Sequence, residues 1–350
     1  MTSIAPSAAP SPAPLSPDVL ALHRSLLTID THIDIPFPDG PSFFEETRRN
    51  VDLPKMKRGH MAAGCFAAYV GQGARTPEAN AAAFTRATAM LHAIRDMGAT
   101  NQGARVATTA DDIEQAHRDG VSIIVPCVEN GHALGGKLEN LKVFKDLGVI
   151  YMTLTHFGHN ALGDSSNPRA ELGDVPQEHG GLSEYGRAVV LEMNRLGMLV
   201  DIAHTSKNTM MQAAALSRTP VLSTHSCIKA LCDNARNLDD EQLDLLAKIG
   251  GVVQVTAVPG FLKTGGKIET VTVADYCDHV DYAVRRIGLD HVGISSDFDG
   301  GGGFSGWRDA SESANITAEL VRRGYGASQI AALWGGNFLR LLRIAETSAR

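Results

Sequence analysis

The sequence predicts an α/β fold, a closed TIM-like (β/α)8 barrel. Eight apolar runs of strand length recur along the chain, and most of them are followed by a segment with helical periodicity. A chain of 350 residues has room for eight such units in one domain. A doubly wound open sheet is the alternative fold, but no G-x-G-x-x-G motif follows the first strand to favour it. The barrel is therefore the predicted fold, with functional side chains expected at the carboxyl ends of its strands.

The predicted strands are short apolar runs bounded by glycine, proline or polar residues. The run 61–70 is rich in small residues, which suits a strand that is buried on both faces. The other strands are expected at 26–31, 121–128, 149–155, 198–203, 220–224, 251–257 and 291–296.

The predicted helices alternate with these strands. The clearest helix begins at Pro77, carries apolar residues at helical spacing and ends at Gly98. The segment 43–58 is polar and rich in charge, and the polar segment 158–181 is expected to be a long loop, whose length is typical of a functional loop. The remaining helices are expected at 17–25, 138–147, 184–196, 206–217, 239–249, 273–287, 312–323 and 328–342.

The composition separates an N-terminal tail from a single domain, and it argues against nucleic acid and membranes as partners. Residues 1–16 are rich in Ser, Ala and Pro and are expected to form a disordered tail, whereas 17–350 are expected to form a single barrel domain. The net charge of −7 argues against nucleic acid as a partner. No apolar run reaches the ~20 residues of a membrane span. Five cysteines without a C-x-x-C pair indicate a reducing compartment, so we expect a cytoplasmic protein with no membrane partner.

The first predicted strand leads into a stretch with two carboxylates around a histidine. Because alternate side chains of an extended strand share a face, Asp30, His32 and Asp34 are expected to project the same way. A histidine and a carboxylate two residues apart can bind one metal ion together, through nitrogen and oxygen. A strand end whose polar groups face water is the alternative interpretation. Comparable endings on later strands favour the metal site.

Residues of metal-ligand or acid–base type follow six of the predicted strands, this one included. In a barrel these positions surround one mouth, so residues that are far apart in the sequence converge on one pocket. Imidazoles and carboxylates suit zinc, and a glutamate can bridge two ions about 3.5–4 Å apart that share and acidify one water. The six residues are His32, Glu129, His156, His204, His225 and Asp297.

These residues stand in motifs that resemble the renal (membrane) dipeptidase family of binuclear zinc peptidases, in its bacterial soluble type. The resemblance covers nearly everything after the tail, and it implies a barrel of the metallo-dependent hydrolase type. Its markers, in chain order, are D-T-H-I-D-I-P (30–36), E-N-G-H (129–132), Y-M-T-L-T-H (151–156), G-L-S-E-Y-G (181–186), E-M-N-R-L-G (192–197), D-I-A-H (201–204), T-H-S (224–226), R-N (236–237), S-D-F-D-G (296–300) and G-N-F-L-R (336–340).

The resemblance implies a zinc-dependent dipeptidase that hydrolyses free dipeptides of the form L-Xaa-L/D-Xaa. Two Zn²⁺ ions per chain would share a hydroxide that attacks the peptide bond. The implied ligands are His32 and Asp34 for one ion, His204 and His225 for the other, and Glu129 for both.

Three further site residues are implied by the same resemblance. His156 would contact the substrate, polarise the scissile carbonyl and support the oxyanion. Asp297 would take the proton from the attacking water and return it to the leaving amine. Arg236 would bind the C-terminal carboxylate, a task suited to a planar donor with two prongs. A homodimer is implied by family analogy alone.

The chain departs from the family pattern at a few positions. Thr31 and Ile33 replace the glycine and asparagine of the usual D-G-H-N-D motif, but they point away from the ions, so metal binding is expected to survive. Asn130 stands where the family has a second glycine, and a change in the pocket beside the glutamate is expected there. Asp30 and Asp201 are expected to orient histidines as hydrogen-bond acceptors rather than to bind metal.

Two alternative functions stay open at this point. The first is another amidohydrolase that acts on a cyclic amide or ester, but its common binuclear form uses H-x-H and a carbamylated lysine, whereas this chain has H-x-D and a glutamate. The second is a non-catalytic barrel that binds metal. The presence of both His156 and Asp297 argues against it, because binding alone needs neither.

Overall fold

A computed structural model describes residues 15–35, 40–98 and 102–349 of the chain. The predicted N-terminal tail therefore lies almost entirely, at 1–14, outside the described residues.

Parallel strands form a nearly closed barrel, so the predicted (β/α)8 fold is confirmed. Eight of the strands run around the barrel in chain order, and the third strand, β3, pairs with β4 beside this path. The strands are β1 (Ile29–Asp34), β2 (Ala63–Tyr69), β3 (Ala104–Val106), β4 (Ser122–Glu129), β5 (Tyr151–Thr153), β6 (Leu199–Asp201), β7 (Leu222–Ser223), β8 (Val252–Val255) and β9 (Val292–Ile294).

The barrel closes where β1 meets the residues that follow β9. The backbone N–H of Asp34 donates to the carbonyl of Phe298 at 3.0 Å, and the N–H of Asp297 donates to the carbonyl of His32 at 3.1 Å. This seam joins the first motif of the chain to one of the last. Two parts of the candidate site are thereby placed side by side.

Helices surround the barrel, and most of them begin with the capping residues that their sequences predict. Ser183, Thr272 and Asp239, for example, each accept a hydrogen bond from a backbone N–H of the first helical turn. The helices are α1 (Pro17–Ser25), α2 (Leu53–Gly59), α3 (Pro77–Asp96), α4 (Ala110–Arg118), α5 (Asn140–Asp146), α6 (Glu184–Arg195), α7 (Lys207–Leu216), α8 (Asp240–Lys248), α9 (Pro259–Leu262), α10 (Val273–Ile287), α11 (Ala314–Arg322), α12 (Ala327–Ala331) and α13 (Asn337–Ser348).

The charged segment 43–58, for which the sequence predicted no helix or strand, contains most of helix α2. Asp52 caps this helix and also accepts a hydrogen bond from Lys55 Nζ at 2.5 Å, although both side chains are nearly or fully buried. A buried ion pair hides the apolar periodicity of a helix that is only seven residues long. The polar composition of this segment therefore gave no indication of the helix.

The five cysteines are buried and free, so the described chain contains no disulfide. Within the described ranges, no helix combines the length and the apolar character that crossing a membrane requires.

Candidate metal centre

All eight predicted site residues lie together at one mouth of the barrel, where the carboxyl ends of the strands meet. They are His32 and Asp34 on β1, Glu129 at the end of β4, His156 after β5, His204 after β6, His225 and Arg236 after β7, and Asp297 after β9.

Glu129 lies at the middle of this centre. Its Oε1 atom is 3.1 Å from His204 Nε2, 3.3 Å from His225 Nε2 and 3.9 Å from His156 Nε2. Its Oε2 atom is 3.5 Å from His32 Nε2, and the side chain is only 3% exposed. Four imidazole rings thus present the same ring nitrogen to one buried carboxylate.

His204 and His225 approach each other unusually closely. Their Nε2 atoms are 2.9 Å apart, and both atoms also lie near Glu129. Two imidazole nitrogens at this distance must share either a proton or a cation, because two lone pairs repel each other. The pair is therefore suited to hold a metal ion.

A second set of donors lies on the other side of Glu129. His32 Nε2 is 3.9 Å from Asp34 Oδ1, and neither atom has a hydrogen-bond partner among the described residues, although both are buried. The carboxylate of Asp297 joins these two residues in a group whose ligand atoms lie within 4.8 Å of one another. Buried polar atoms without partners are rare, and a bound cation would satisfy both of these.

The donors form three overlapping groups that fit metal ions. Glu129 and His32 each belong to two of these groups, so the three groups adjoin one another. Nitrogen and oxygen donors of this kind are typical of zinc sites. The groups are His32 with Glu129 and His225, Glu129 with His156 and His204, and His32 with Asp34 and Asp297.

The charges of the centre shift the pKa values of its members. Burial lowers the pKa of His32, but the carboxylates of Glu129 and Asp34 outweigh burial and raise this pKa to about 10. Burial raises the pKa of Glu129, whereas the rings of His32 and His156 draw it well below its ordinary value. Burial raises the pKa of Asp297 to about 7, against the opposing effect of His32. Three carboxylates concentrated at one buried place favour a cation there.

Residues behind the rings orient two of the candidate ligands. The Nδ1 atom of His32 lies 3.0 Å from the Tyr151 hydroxyl, and Nδ1 of His225 lies 2.8 Å from the Thr224 hydroxyl. The Thr224 hydroxyl in turn donates to Asp201 Oδ2 at 2.7 Å. Asp201 therefore orients a histidine as expected, but it does so through Thr224. Tyr151 and Thr224 were not predicted as site residues, and only their place in the motifs pointed to a role.

The expected alternation along β1 is wrong at Asp30. The pairing with β2 slips by one residue between Asp30 and Ile33, which is a β-bulge. Asp30 Oδ1 accepts backbone N–H groups of His32 and Ser296, at 3.3 and 2.9 Å, and it lies outside the metal-binding groups. Its carboxylate thus holds the seam between β1 and the segment after β9.

Three residues at the strand ends adopt left-handed backbone conformations. The φ angles are 77° for Asn130, 63° for His204 and 62° for Asp297. Non-glycine residues rarely adopt such angles, and strained backbone of this kind clusters at functional sites. In each case the chain turns sharply at the mouth of the barrel, just beyond a strand.

Asn130, which stands where the family has a glycine, connects separate segments at the rim of the pocket. Its Oδ1 atom accepts hydrogen bonds from His132 N and Asn160 Nδ2, and its Nδ2 atom donates to the carbonyl of Val70. Its side chain is fully buried, and both of its polar atoms are used in these hydrogen bonds. The substitution therefore adds contacts between rim loops beside Glu129.

His156 lies slightly outside the other rings. Its side chain is 14% exposed, compared with 5% or less for His32, His204 and His225. Burial lowers the pKa of His156 to about 4 although Glu129 opposes this shift, so the ring is neutral at pH 7.

Arg236 connects the centre to an adjoining cavity of about 290 Å³. Its Nη2 atom donates to the carbonyl of His225 at 2.9 Å, and its guanidinium lies 5.3 Å from the centre of the Phe261 ring. Its Nε atom is buried and has no hydrogen-bond partner within the described chain. His204 and Arg236 both line the cavity. A buried cation with an unused N–H is suited to an anionic group of a ligand.

The long loop expected at 158–181 forms part of the wall of this cavity, through Ser165, Pro168 and Pro176. Asp164 organises the loop, because it accepts backbone N–H groups of Glu178, His179 and Gly181. Asp164 was not predicted, because a single aspartate in a polar loop belongs to no recognisable motif.

Known proteins that are similar to this chain in sequence include dipeptidases. The profile of the family described as membrane dipeptidase (peptidase family M19) matches residues 18–350. The chain is 33% identical to Dipeptidase aclJ of Aspergillus oryzae over 313 residues, which are 87% of this chain and 72% of that protein. It is 32% identical to Dipeptidase 3 of Rattus norvegicus over 347 residues, which are 95% of this chain and 68% of that protein.

Solved structures show the same likeness. The probable dipeptidase PvdM from Pseudomonas aeruginosa superposes with a TM-score of 0.86 and 30% identity, over 95% of this chain and 98% of that one. A metallo peptidase from Rhodobacter sphaeroides, liganded with a phosphinate mimic of the dipeptide L-Ala-D-Ala, superposes with a TM-score of 0.78 and 26% identity, over 91% of this chain and 99% of that one.

Proposed function

Because this chain belongs to the membrane dipeptidase family, peptidase family M19, and is a metallo-dipeptidase of that family, we propose that it hydrolyses free dipeptides of the form L-Xaa-L/D-Xaa with two Zn²⁺ ions. The observation that carries this proposal is the contact of one buried carboxylate, Glu129, with four imidazoles. Such a carboxylate has two oxygens and can serve two neighbouring ions at once.

Five residues would hold the ions. His32 and Asp34 would bind one ion, His204 and His225 the other, and Glu129 both. Support comes from the buried, unpartnered atoms of His32 and Asp34 and from the 2.9 Å approach of His204 to His225. The chemistry that the metal ions supply when bound is a water of lowered pKa and a polarised carbonyl.

Two residues would handle charge and protons during the reaction. Asp297 would take a proton from the attacking water through its carboxylate and return it to the leaving amine. Its position beside both His32 and Asp34 supports this role. His156, the neutral and more exposed ring, would donate a hydrogen bond to the carbonyl oxygen as negative charge develops there.

Arg236 would select dipeptides by their free C-terminal carboxylate. Its buried guanidinium is held against His225 and Phe261, and its Nε atom is left without a partner at the cavity. The Rhodobacter sphaeroides metallo peptidase binds a mimic of L-Ala-D-Ala, which supports a D-residue at the C-terminal position here as well.

The alternative of an amidohydrolase for cyclic amides or esters has less support. The residue at the middle of the centre is a glutamate rather than the carbamylated lysine that such enzymes commonly use. An unsubstituted cyclic amide or lactone also has no free carboxylate for Arg236.

The proposed function is tested by a panel of substrates with and without a chelator. We expect zinc-loaded protein to hydrolyse L-Ala-L-Ala and L-Ala-D-Ala, and the chelated protein to lose this activity. A dipeptide amide, a cyclic amide and a lactone serve as controls and should react poorly. Rapid turnover of a cyclic substrate, or dipeptide hydrolysis that a chelator leaves unchanged, would contradict the proposal.

Replacing Asp297 with Asn tests its role as proton carrier. We expect Asp297→Asn to reduce kcat by about 10²–10⁴-fold while the zinc content stays the same, because the amide cannot accept the proton. Asp299→Asn is the matched control, since Asp299 lies in the same turn but accepts backbone N–H groups of Asn50 and Val51. Full activity in Asp297→Asn, or loss of zinc together with activity, would show that the assignment is wrong.

A further inference from the structure

For three of the four imidazoles, a hydroxyl behind the ring decides which ring nitrogen carries the hydrogen. Behind His32, the Tyr151 hydroxyl donates to a backbone carbonyl at 2.8 Å. Because that hydrogen is already used, Tyr151 must accept the Nδ1–H of His32, which lies 3.0 Å away. When the ring is neutral, the Nε2 atom of His32 then presents a lone pair to the centre, which is the form that binds metal.

The position of the hydrogen on His225 follows from the same reasoning. The Thr224 hydroxyl donates its hydrogen to Asp201, so its oxygen accepts the Nδ1–H of His225. Nε2 of His225 is therefore also a lone-pair donor. Both rings are prepared as metal ligands by hydrogen bonds that lie outside the centre.

His156 has the opposite arrangement. The hydroxyl of Tyr69 lies 3.4 Å from His156 Nδ1, and it has no other hydrogen-bond partner among the residues that the structure describes. Its hydrogen is thus available, and Nδ1 of His156 can accept it. The hydrogen of the ring then belongs on Nε2, the atom that faces Glu129 at 3.9 Å.

We propose that Tyr69 is a positioning residue that holds His156 in the tautomer with its hydrogen on Nε2. This inference rests on the proposed function, because it explains how His156 acts as a hydrogen-bond donor to the substrate while similar rings nearby act as ligands. A ring with Nε2–H cannot bind a metal ion through that atom.

The position of Tyr69 in the barrel supports this role. Tyr69 ends β2 and lies directly opposite Glu129 in the pairing of β2 with β4. The centre of its ring lies 4.6 Å from that of the His156 ring, and the two ring planes are inclined by 55°. One pair of strands therefore places both the central carboxylate and the hydroxyl that orients its neighbour.

Tyr69→Phe removes only the hydroxyl and provides the kinetic test. We expect kcat for a dipeptide to fall about tenfold, which is the effect of losing one neutral hydrogen bond that acts in the transition state. KM and zinc content should change by less than about twofold. Tyr185→Phe is the matched control, because the buried Tyr185 hydroxyl has no hydrogen-bond partner within the described ranges. An unchanged kcat in Tyr69→Phe would overturn the inference.

A spectroscopic readout separates positioning from a general structural effect. In zinc-loaded protein with ¹⁵N-labelled histidine, the His156 signal is identified by its absence in His156→Asn. We expect this signal to show Nε2–H in the unmodified protein and a mixture of tautomers in Tyr69→Phe. Nδ1–H in the unmodified protein, or an unchanged spectrum in Tyr69→Phe, would overturn the inference.

A double variant completes the test. If Tyr69 acts through His156, then Tyr69→Phe should change kcat by less than about twofold in the His156→Asn background. Additive effects of the two substitutions would overturn the inference. If the unmodified protein hydrolyses no dipeptide, the proposed function fails, whereas the tautomer of His156 is still decided by the ¹⁵N spectrum.

Discussion

At the scale of single residues, Gly300 shows how tightly the carboxylates of the centre are packed. A Cβ atom at this position would lie 2.3 Å from Asp34 Oδ2 and 2.4 Å from Asp297 Oδ1. Both distances are far below the contact distance of carbon and oxygen. A side chain at this position would therefore displace carboxylates of the centre, because two of them approach the backbone here.

Gly300→Ala should displace both carboxylates without disturbing the barrel. We expect the affinity for zinc and the rate of dipeptide hydrolysis each to fall about 10–100-fold, as is typical when the support of metal ligands is lost. Zinc titration and steady-state kinetics measure the two effects. Gly260→Ala is the control, because no heavy atom lies within 4 Å of its Cβ position. Unchanged zinc affinity in Gly300→Ala would contradict the assignment of Asp34 as a ligand.

At the scale of elements, the π-helical turn Ala332–Gly336 packs the C-terminal helices against the start of β1. A Cβ atom on Gly335 would lie 2.6 Å from the carbonyl oxygen of Leu27, whereas a Cβ atom on Gly336 would meet nothing closer than 3.4 Å. The two adjacent glycines therefore differ in the space that is available for a side chain. Only Gly335 permits the close approach of the helix to the strand that carries His32.

These two glycines provide a matched pair of substitutions. We expect Gly335→Ala to reduce the free energy of unfolding by about 1–3 kcal/mol, because the new methyl group overpacks the contact with β1. Gly336→Ala should leave it unchanged or raise it by up to ~1 kcal/mol, through the higher helix propensity of alanine. Urea denaturation measures both values. Equal effects of the two substitutions would show that the contact with Leu27 is not what matters.

Helix α1 is attached to the barrel by a buried chain of hydrogen bonds through His23. Trp334 Nε1–H donates to Thr317 Oγ1 at 2.9 Å, and the Thr317 hydroxyl lies 2.7 Å from His23 Nδ1. His23 Nε2 lies 2.9 Å from the carbonyl of Gly59, to which it donates. Each group has one partner of the correct type only if His23 is neutral.

This chain predicts a dependence of stability on pH. Burial lowers the pKa of His23 to about 4 from its ordinary value of 6.5, so the unfolded chain takes up a proton at mildly acidic pH while the folded chain does not. Stability from this group is complete above pH 6.5 and is lost as the pH falls towards 4. Between pH 7 and pH 5 we expect the unmodified protein to lose about 2 kcal/mol more than His23→Gln loses. Parallel losses in the two proteins would contradict this account of α1.

At the scale of the whole molecule, local patterns predicted the barrel and the residues at its mouth. The apolar runs and the histidines or carboxylates after them identify strands and their ends, since both signals lie within a few residues of the chain. The β-bulge after Asp30 and the helix α2 were missed. The first depends on pairing with β2, and the second is hidden by the buried pair of Asp52 and Lys55.

The partners behind the rings were beyond sequence reasoning for a related reason. Tyr151 is 119 positions from His32, and Tyr69 is 87 positions from His156. No periodicity relates residues at such separations, so only the closed barrel brings them into contact. Motifs therefore predict which residues form the centre, whereas the fold is needed to show how each ring is oriented.

We propose that this mouth of the barrel holds two zinc ions that act together in dipeptide hydrolysis. The most direct measurement is a titration of the metal-free protein with Zn²⁺, in which bound zinc and hydrolysis of L-Ala-D-Ala are followed together. We expect activity to rise until two ions are bound per chain and then to stay constant. Glu129→Gln should not reach this maximal activity. Full activity with one bound ion, or no hydrolysis at any zinc concentration, would contradict this proposal.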